Sequence, residues 1–379
     1  MKKMSTTRGF RDSALLLATL VGIATGQSQV SAEAAPTLPD SPIRLSSNEN
    51  AFGFTPKAKE AMIKYLDGGS YYNRNNVTDL IDAVAEKEGV PADYVVVTPG
   101  SGPVLMMTAL AYAELGVNVV TTEMGYTQLI RKFAERGGEV KFAPLADDMG
   151  YDFEAMAALI DENTKIVYIC NPNNPTGVLA DAVALKQFVL SISSDILVFI
   201  DEAYLELADS SFAFNTCASL VRVKENILVT RTFSKGHGMA GFRIGYAIAN
   251  PKILEKMMPY YMGSPSYLAS IAAIEAIKDD AFLSKNIKLY QSVRRYVCDE
   301  FDKMGIAYAK PQGAFVYFKS GMDEEEIQTT MEANGVLITG SRASGVPEGS
   351  YSDWARVSIG TKEQMDKFLS VLKATLANS

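Results

Sequence analysis

The chain has 379 residues, 47% hydrophobic and 21% charged, with a formal net charge of −8 and a pI near 5.0. These are the proportions of an ordinary globular protein, long enough to bury a large core in two subdomains. The acidic balance leaves no footprint for nucleic acid, and no apolar run reaches the roughly 18 residues of a membrane span.

The chain opens with Lys2, Lys3, Arg8 and Arg11, followed by the short apolar run from Ala14 to Ala24 and by Ala32-Glu-Ala34. A charged start, an apolar core too short to span and an Ala-x-Ala site predict a signal peptide over residues 1–34. The mature chain is then periplasmic or secreted; without cleavage it is cytoplasmic, and the segment is a helical extension of the domain. Thr7-Arg8-Gly-Phe10 resembles a twin-arginine export motif, with Thr7 in place of the first arginine. Pro36 to Pro42 reads as an extended linker.

Short β-branched and apolar runs then alternate with helical patterns. Strands are expected at Tyr94–Thr98, Val117–Thr122, Glu139–Ala143, Lys165–Cys170, Leu197–Asp201, Ile227–Arg231 and Phe242–Ile248. Helical stretches are expected up to Leu115 and from Gln128 to Arg136. This alternation predicts an α/β layered domain around a largely parallel sheet, with chemistry at the carboxyl ends of its strands. Beyond Ser270 helices dominate to Met304. Ala314–Phe318, Gly335–Thr339 and Trp354–Ile359 then suggest a small sheet, closed by a helix from Lys362. The expected division is an N-terminal arm and part of a small domain over 35–79, a large domain over 80–270 and a C-terminal small domain over 271–379.

The three cysteines, Cys170, Cys217 and Cys298, are scattered and odd in number, so neither a disulfide framework nor a thiolate metal site follows. His237 is the only histidine. That removes catalytic triads and multi-histidine metal sites, and it reads as a plain loop residue. Gly236-His-Gly238-Met-Ala-Gly241 matches the dinucleotide pattern G-x-G-x-x-G. That pattern must open a helix, and the residues after it read as a strand, so the match is rejected.

Three islands each follow a strand-like run: Asn171-Pro-Asn-Asn174-Pro-Thr-Gly177, Asp201-Glu-Ala-Tyr204 and Thr232-Phe-Ser-Lys235-Gly-His-Gly-Met-Ala-Gly-Phe-Arg243. An amide, a carboxylate, a phenol, an amine and a guanidinium are the groups a protein needs to hold pyridoxal phosphate. The amine condenses with the aldehyde. The carboxylate keeps the ring nitrogen protonated, so that the ring can absorb carbanion electrons. From about Ile43 to the C-terminus the chain resembles the aspartate-aminotransferase superfamily, or fold type I, and within it the histidinol-phosphate aminotransferases.

The resemblance implies a large domain with a mostly parallel seven-stranded sheet between helices, and a small α+β domain from the N- and C-terminal segments. It implies that Lys235 binds the cofactor covalently, that Asp201 pairs with the ring nitrogen, and that Asn174 and Tyr204 hold the ring oxygen. Tyr126 stacks on the ring. Ser101, Gly102, Ser234 and Arg243 cradle the phosphate, with Pro103 where the family often has an acidic residue. Tyr72 reaches the phosphate from the partner subunit of a homodimer with a shared active site; Tyr72-Asn73 stands for the family's Tyr-Pro. Taken singly, Ser101 and Asp201 are helix caps, Asn174 a turn residue and Tyr126 a core aromatic.

On the substrate side, Arg356 matches the arginine that clamps an α-carboxylate, and Asn50 belongs to the strip Asn48-Glu-Asn50 over the site. Phe52 is displaced from its usual place by Ala51. Histidinol-phosphate enzymes carry another arginine where this chain has Thr339; Arg342, three residues on, is the candidate replacement. The resemblance implies an aminotransferase of amino acid biosynthesis, moving an amino group between an amino acid or amino-phosphate donor and a 2-oxo acid, without a metal, nucleic acid or membrane partner for the mature form. An aromatic or other amino acid aminotransferase, and a decarboxylase or lyase on the same site, are the alternatives.

Overall fold

The computed structural model describes residues 42–72, 75–341 and 351–377. The expected signal peptide, the twin-arginine-like motif, the linker before Pro42 and Arg342 lie outside the described residues. The first strand is β1 (Ile43–Arg44). Then follow β2 (Val95–Thr98), β3 (Asn118–Thr122), β4 (Glu139–Ala143), β5 (Thr164–Cys170), β6 (Leu197–Asp201), β7 (Ile227–Thr232) and β8 (Gly245–Ala249). These last seven make one sheet in the order β2-β8-β7-β6-β5-β3-β4. Only β8 runs against its neighbours, β2 and β7. The mostly parallel seven-stranded sheet is as expected.

Both faces of the sheet are covered, which is why its inner strands are apolar runs without alternation. Val97, Val120, Val167 and Val229 face helices Asn75–Glu88, Ala182–Ser191 and Tyr267–Ile277. Val119, Ile166, Phe199 and Leu228 face helices Gly102–Tyr112, Gln128–Glu135 and Pro251–Met257. The edge strand β4 carries Glu139 and Lys141, which suits an exposed edge.

A second core surrounds an antiparallel sheet of β9 (Phe315–Lys319), β12 (Trp354–Ser358) and β11 (Thr339–Gly340), in the order β11-β12-β9. β10 (Val336–Leu337) pairs in parallel with β1. The long helix Asp280–Met304 and the closing helix Lys362–Ala377 pack on this core.

Four details differ from the sequence reading. The strand expected at Phe242 begins at Gly245, because Arg243 is left-handed (φ 56°) and ends a 3-10 turn at Ala240–Phe242. Within Gly236–Gly241 the chain enters only that 3-10 turn and no α-helix, so the helix that the dinucleotide pattern must open is not there. The run Gly335–Thr339 divides at Ile338 into β10 and β11, which join different sheets. The helix after β2 stops at Tyr112, before Leu115. Packing also crosses the expected domain limits: Ala58, Ala272, Ala273 and Ala276 all belong to the large-domain core, whereas Leu45 belongs to the small one.

Candidate active site

The ends of β5, β6 and β7 deliver three loops to one cavity of about 470 Å³. Ser101, Gly102, Tyr126, Asn174, Asp201, Tyr204, Ser234, Lys235, Arg243 and Arg356 all line it. Residues distributed over some 250 positions of chain thus converge where open α/β sheets bind ligands.

The Lys235 Nζ donates to the Asn48 carbonyl at 2.8 Å and lies 5.4 Å from the centre of the Tyr204 ring. Burial, with the nearby Arg356 and Arg243 guanidinium groups, pushes its amine down to about 8, against smaller opposition from Glu49 and Asp201. The Asn48 side chain donates to the Tyr204 hydroxyl at 3.1 Å, and the Asn48 backbone donates to Ser358 Oγ at 2.8 Å. Asn48 therefore ties the amine, the phenol and β12 together from one left-handed position (φ 54°), which asparagine tolerates better than most residues.

Asp201 and Glu202 are adjacent and opposite in circumstance. The Glu202 carboxylate accepts from Arg231 Nε (3.0 Å), Arg231 Nη2 (2.9 Å), the Thr216 hydroxyl and the Cys217 amide (2.6 Å). Asp201 receives the Ala203 amide at 3.1 Å, within a turn rather than at a helix cap. Burial, with Glu202 adding to it, pushes the Asp201 carboxyl up to about 7, against the Ala203 hydrogen bond and Lys235. A buried carboxyl that lines the cavity, with no salt bridge among the described residues, suits a cationic ligand atom.

At the other end, Ser101 precedes the helix Gly102–Tyr112 and makes no side-chain cap bond, so its hydroxyl does not serve the cap. Arg243 Nη1 approaches Ser234 Oγ at 3.5 Å and donates to the Ala240 carbonyl at 2.9 Å. Gly100 takes a positive φ of 85° that side chains rarely adopt, and a Cβ there would meet the Arg243 guanidinium. Gly102 at the helix start, two hydroxyls and an arginine at one end of the cavity suit an anion.

Arg356 is 7% exposed. Its Nη1 donates to Asn174 Oδ1 (2.6 Å), and its Nη2 to the Ser46 carbonyl (2.8 Å) and Thr339 Oγ1 (3.4 Å). All three partners are neutral, and burial pulls the guanidinium below its ordinary value. Such a cation favours an incoming carboxylate. Thr339 faces Arg356 across β11 and β12 and gives its own hydroxyl to the Ser46 carbonyl at 2.7 Å.

Two sequence candidates lie elsewhere. Tyr72 is fully exposed and lines a separate cavity with Tyr71, Ser266 and Tyr267. Asn50 stands behind the site, where its Nδ2 donates to the carbonyls of Lys235 (2.8 Å) and Gly236 (3.3 Å). Of the strip Asn48-Glu-Asn50, Asn48 and not the expected Asn50 reaches the amine and the phenol, and the Glu202–Arg231 pair is a further feature that no motif marks. The carboxylate next to Asp201 was the available signal.

The donor set fits pyridoxal phosphate: an amine of lowered pKa, a buried carboxyl on the same cavity, and an arginine with two hydroxyls near a helix start. The family model for aminotransferase class I and II matches residues 40–372. The chain is 33% identical over 336 residues to the histidinol-phosphate aminotransferase of Halalkalibacterium halodurans, covering 88% of this chain and 89% of that protein. It is 34% identical to the histidinol-phosphate aminotransferase of Brevibacillus brevis, covering 87% and 89%. The crystal structure of histidinol-phosphate aminotransferase from Sinorhizobium meliloti in complex with pyridoxal-5'-phosphate aligns with a TM-score of 0.81 at 27% identity, covering 89% of this chain and 91% of that one.

Proposed function

The chain belongs to the class I and II aminotransferases, a pyridoxal-phosphate-dependent family of fold type I, and from that premise we propose roles for its residues and a substrate class. The observation that carries the reading is the single cavity in which Lys235, Asp201, Asn174, Tyr204 and Arg356 meet.

When bound, pyridoxal phosphate supplies an aldehyde and a conjugated ring that draws electrons from the donor's α-carbon. Lys235 is the residue that attaches it and then moves a proton at that carbon, a task helped by an amine already pushed down to about 8. Asp201 keeps its charge against the ring nitrogen. Asn174 and Tyr204 hold the ring oxygen, and Tyr126 covers the ring face. Ser101, Gly102, Ser234 and Arg243 hold the phosphate. Arg356 orients the donor by its anionic group.

The proposed donor is an amino-phosphate or amino acid of the kind used by histidinol-phosphate aminotransferases, with a 2-oxo acid as acceptor. Thr339 favours a second reading. A threonine carries no cation for a second anion on the donor, and its hydroxyl is already donated to the Ser46 carbonyl. An aromatic or other uncharged amino acid donor then fits. A screen of amino donors with detection of the oxo acid, run on protein lacking residues 1–34, separates the two.

We further propose a homodimer. Tyr71 and Tyr72 are 76% and 108% exposed, and Ile63 and Leu66 are also open to solvent. An apolar surface of this kind suits a subunit interface. Measurement of molecular mass in solution tests it. Export after cleavage near Ala34 is proposed on the sequence pattern of residues 1–34; among the described residues, no helix is long and apolar enough to cross a membrane.

A further inference from the structure

Lys235 and Tyr204 stand on different loops, and the residues two places beyond them meet. His237 Nε2 lies 3.6 Å from Glu206 Oε1, with side chains only 4% and 14% exposed. Lys87 Nζ lies 3.5 Å from the same oxygen. Among the described residues, no hydrogen bond engages His237 Nε2. The Phe233 ring packs on the imidazole at 5.0 Å between centres. Between the two loops, Gly236 passes so close that a Cβ there would lie 2.6 Å from Glu206 Oε2. Burial works to raise the Glu206 carboxyl, but His237 and Lys87, with a contribution from Arg231, outweigh it and hold it well below the usual range.

We propose that His237 and Glu206 form a staple between the two loops, which positions the Lys235 amine against Tyr204 for the reaction. His237 is thus a positioning residue, not loop filler. The inference rests on the roles given above to Lys235 and Tyr204. Its physical basis is reach: a lysine amine on four carbons is placed only as well as the backbone that carries it, and a shift of about 1 Å in a reacting group costs up to a hundredfold in rate. Asn50 already holds the Lys235 and Gly236 carbonyls from one side. The staple holds the turn from the other.

The test is a double-mutant cycle of His237→Phe and Glu206→Gln in the full chain. His237→Phe keeps an aromatic ring against Phe233 and removes the pair. Glu206→Gln keeps the volume and removes the charge. Each single substitution is expected to lower kcat roughly tenfold with little change in donor KM. Both should move the pH midpoint of the cofactor's visible absorption in the same direction. The double variant should be no slower than either single one, because the two residues act as one unit. His237→Gln, whose side-chain amide offers an N–H toward Glu206, should recover most of kcat. Wild-type kcat in His237→Phe, or losses that multiply in the double variant, overturns the proposal. The same cycle read by thermal unfolding of cofactor-free protein reports on the pair without reference to chemistry. Coupling there without any loss of kcat or spectral change makes the pair merely structural; absence of coupling removes the pair itself. A wild type that binds no cofactor at all overturns the reading of the site, and the positioning role falls with it.

Discussion

Arg356 Nη1 and Asn174 Oδ1 stand 2.6 Å apart across 182 residues of sequence. The contact joins β12 of the small domain to the loop that follows β5 of the large one. The proposed substrate arginine and the proposed cofactor amide therefore hold each other in place. Arg356→Lys keeps a charge but loses the planar fork. Steady-state kinetics should show kcat/KM falling about tenfold to a hundredfold for every donor, the size of one charge-assisted contact, while cofactor absorption is retained. A loss confined to one donor would point to side-chain recognition instead.

Donor choice turns on Arg342 and Thr339. If the donor carries a phosphate held by Arg342, Arg342→Ala lowers turnover of histidinol phosphate about tenfold to a hundredfold and leaves tyrosine and phenylalanine unchanged. Equal losses on all donors make Arg342 structural. A wild-type enzyme that prefers uncharged side chains makes Thr339 the informative residue, and the second reading stands.

Asp201 gives a pH prediction whose sign is fixed. Its carboxyl is raised from 3.8 to about 7 in the folded protein without cofactor. The folded state then binds more protons than the unfolded state between those values, so cofactor-free stability falls as pH rises from about 4 to 7. The loss is on the order of 4 kcal/mol at most. Asp201→Asn should therefore raise the thermal midpoint of cofactor-free protein at pH 8 and flatten its pH dependence. The same variant should lose most transamination, with a barrier increase of about 3 kcal/mol or more. Unchanged turnover would sink the assignment.

The N-terminus makes a prediction of its own. Mass spectrometry of the protein isolated from its native cell should find a chain beginning near Ala35. An intact Met1 end would show that residues 1–34 are retained.

Much of this was legible in sequence, for identifiable reasons. Strands β5, β6 and β7 are apolar because both sheet faces are covered, and a motif carrying Asn174, Asp201 or Lys235 lies at or just beyond the carboxyl end of each. Periodicity and motif therefore reinforced one another. What could not be read was set by backbone geometry and by long-range pairing. Nothing in Asn48-Glu-Asn50 says which amide meets Tyr204; the left-handed turn at Asn48 decides it. The split of β10 from β11 depends on which sheet each half joins. The neutralisation of Glu202 needs Arg231, 29 positions away, and that contact is what distinguishes two adjacent carboxylates. His237, the only histidine, gave no local signal because its partner Glu206 lies on another loop.

The most direct test of the central claim is chemical. Purified enzyme loaded with pyridoxal phosphate should be reduced with borohydride, digested and mapped. One pyridoxyl-modified peptide is expected, carrying the group on Lys235, and a Lys235→Ala variant should be unlabelled and inactive in transamination. Labelling of a different lysine, or full activity in Lys235→Ala, would contradict it.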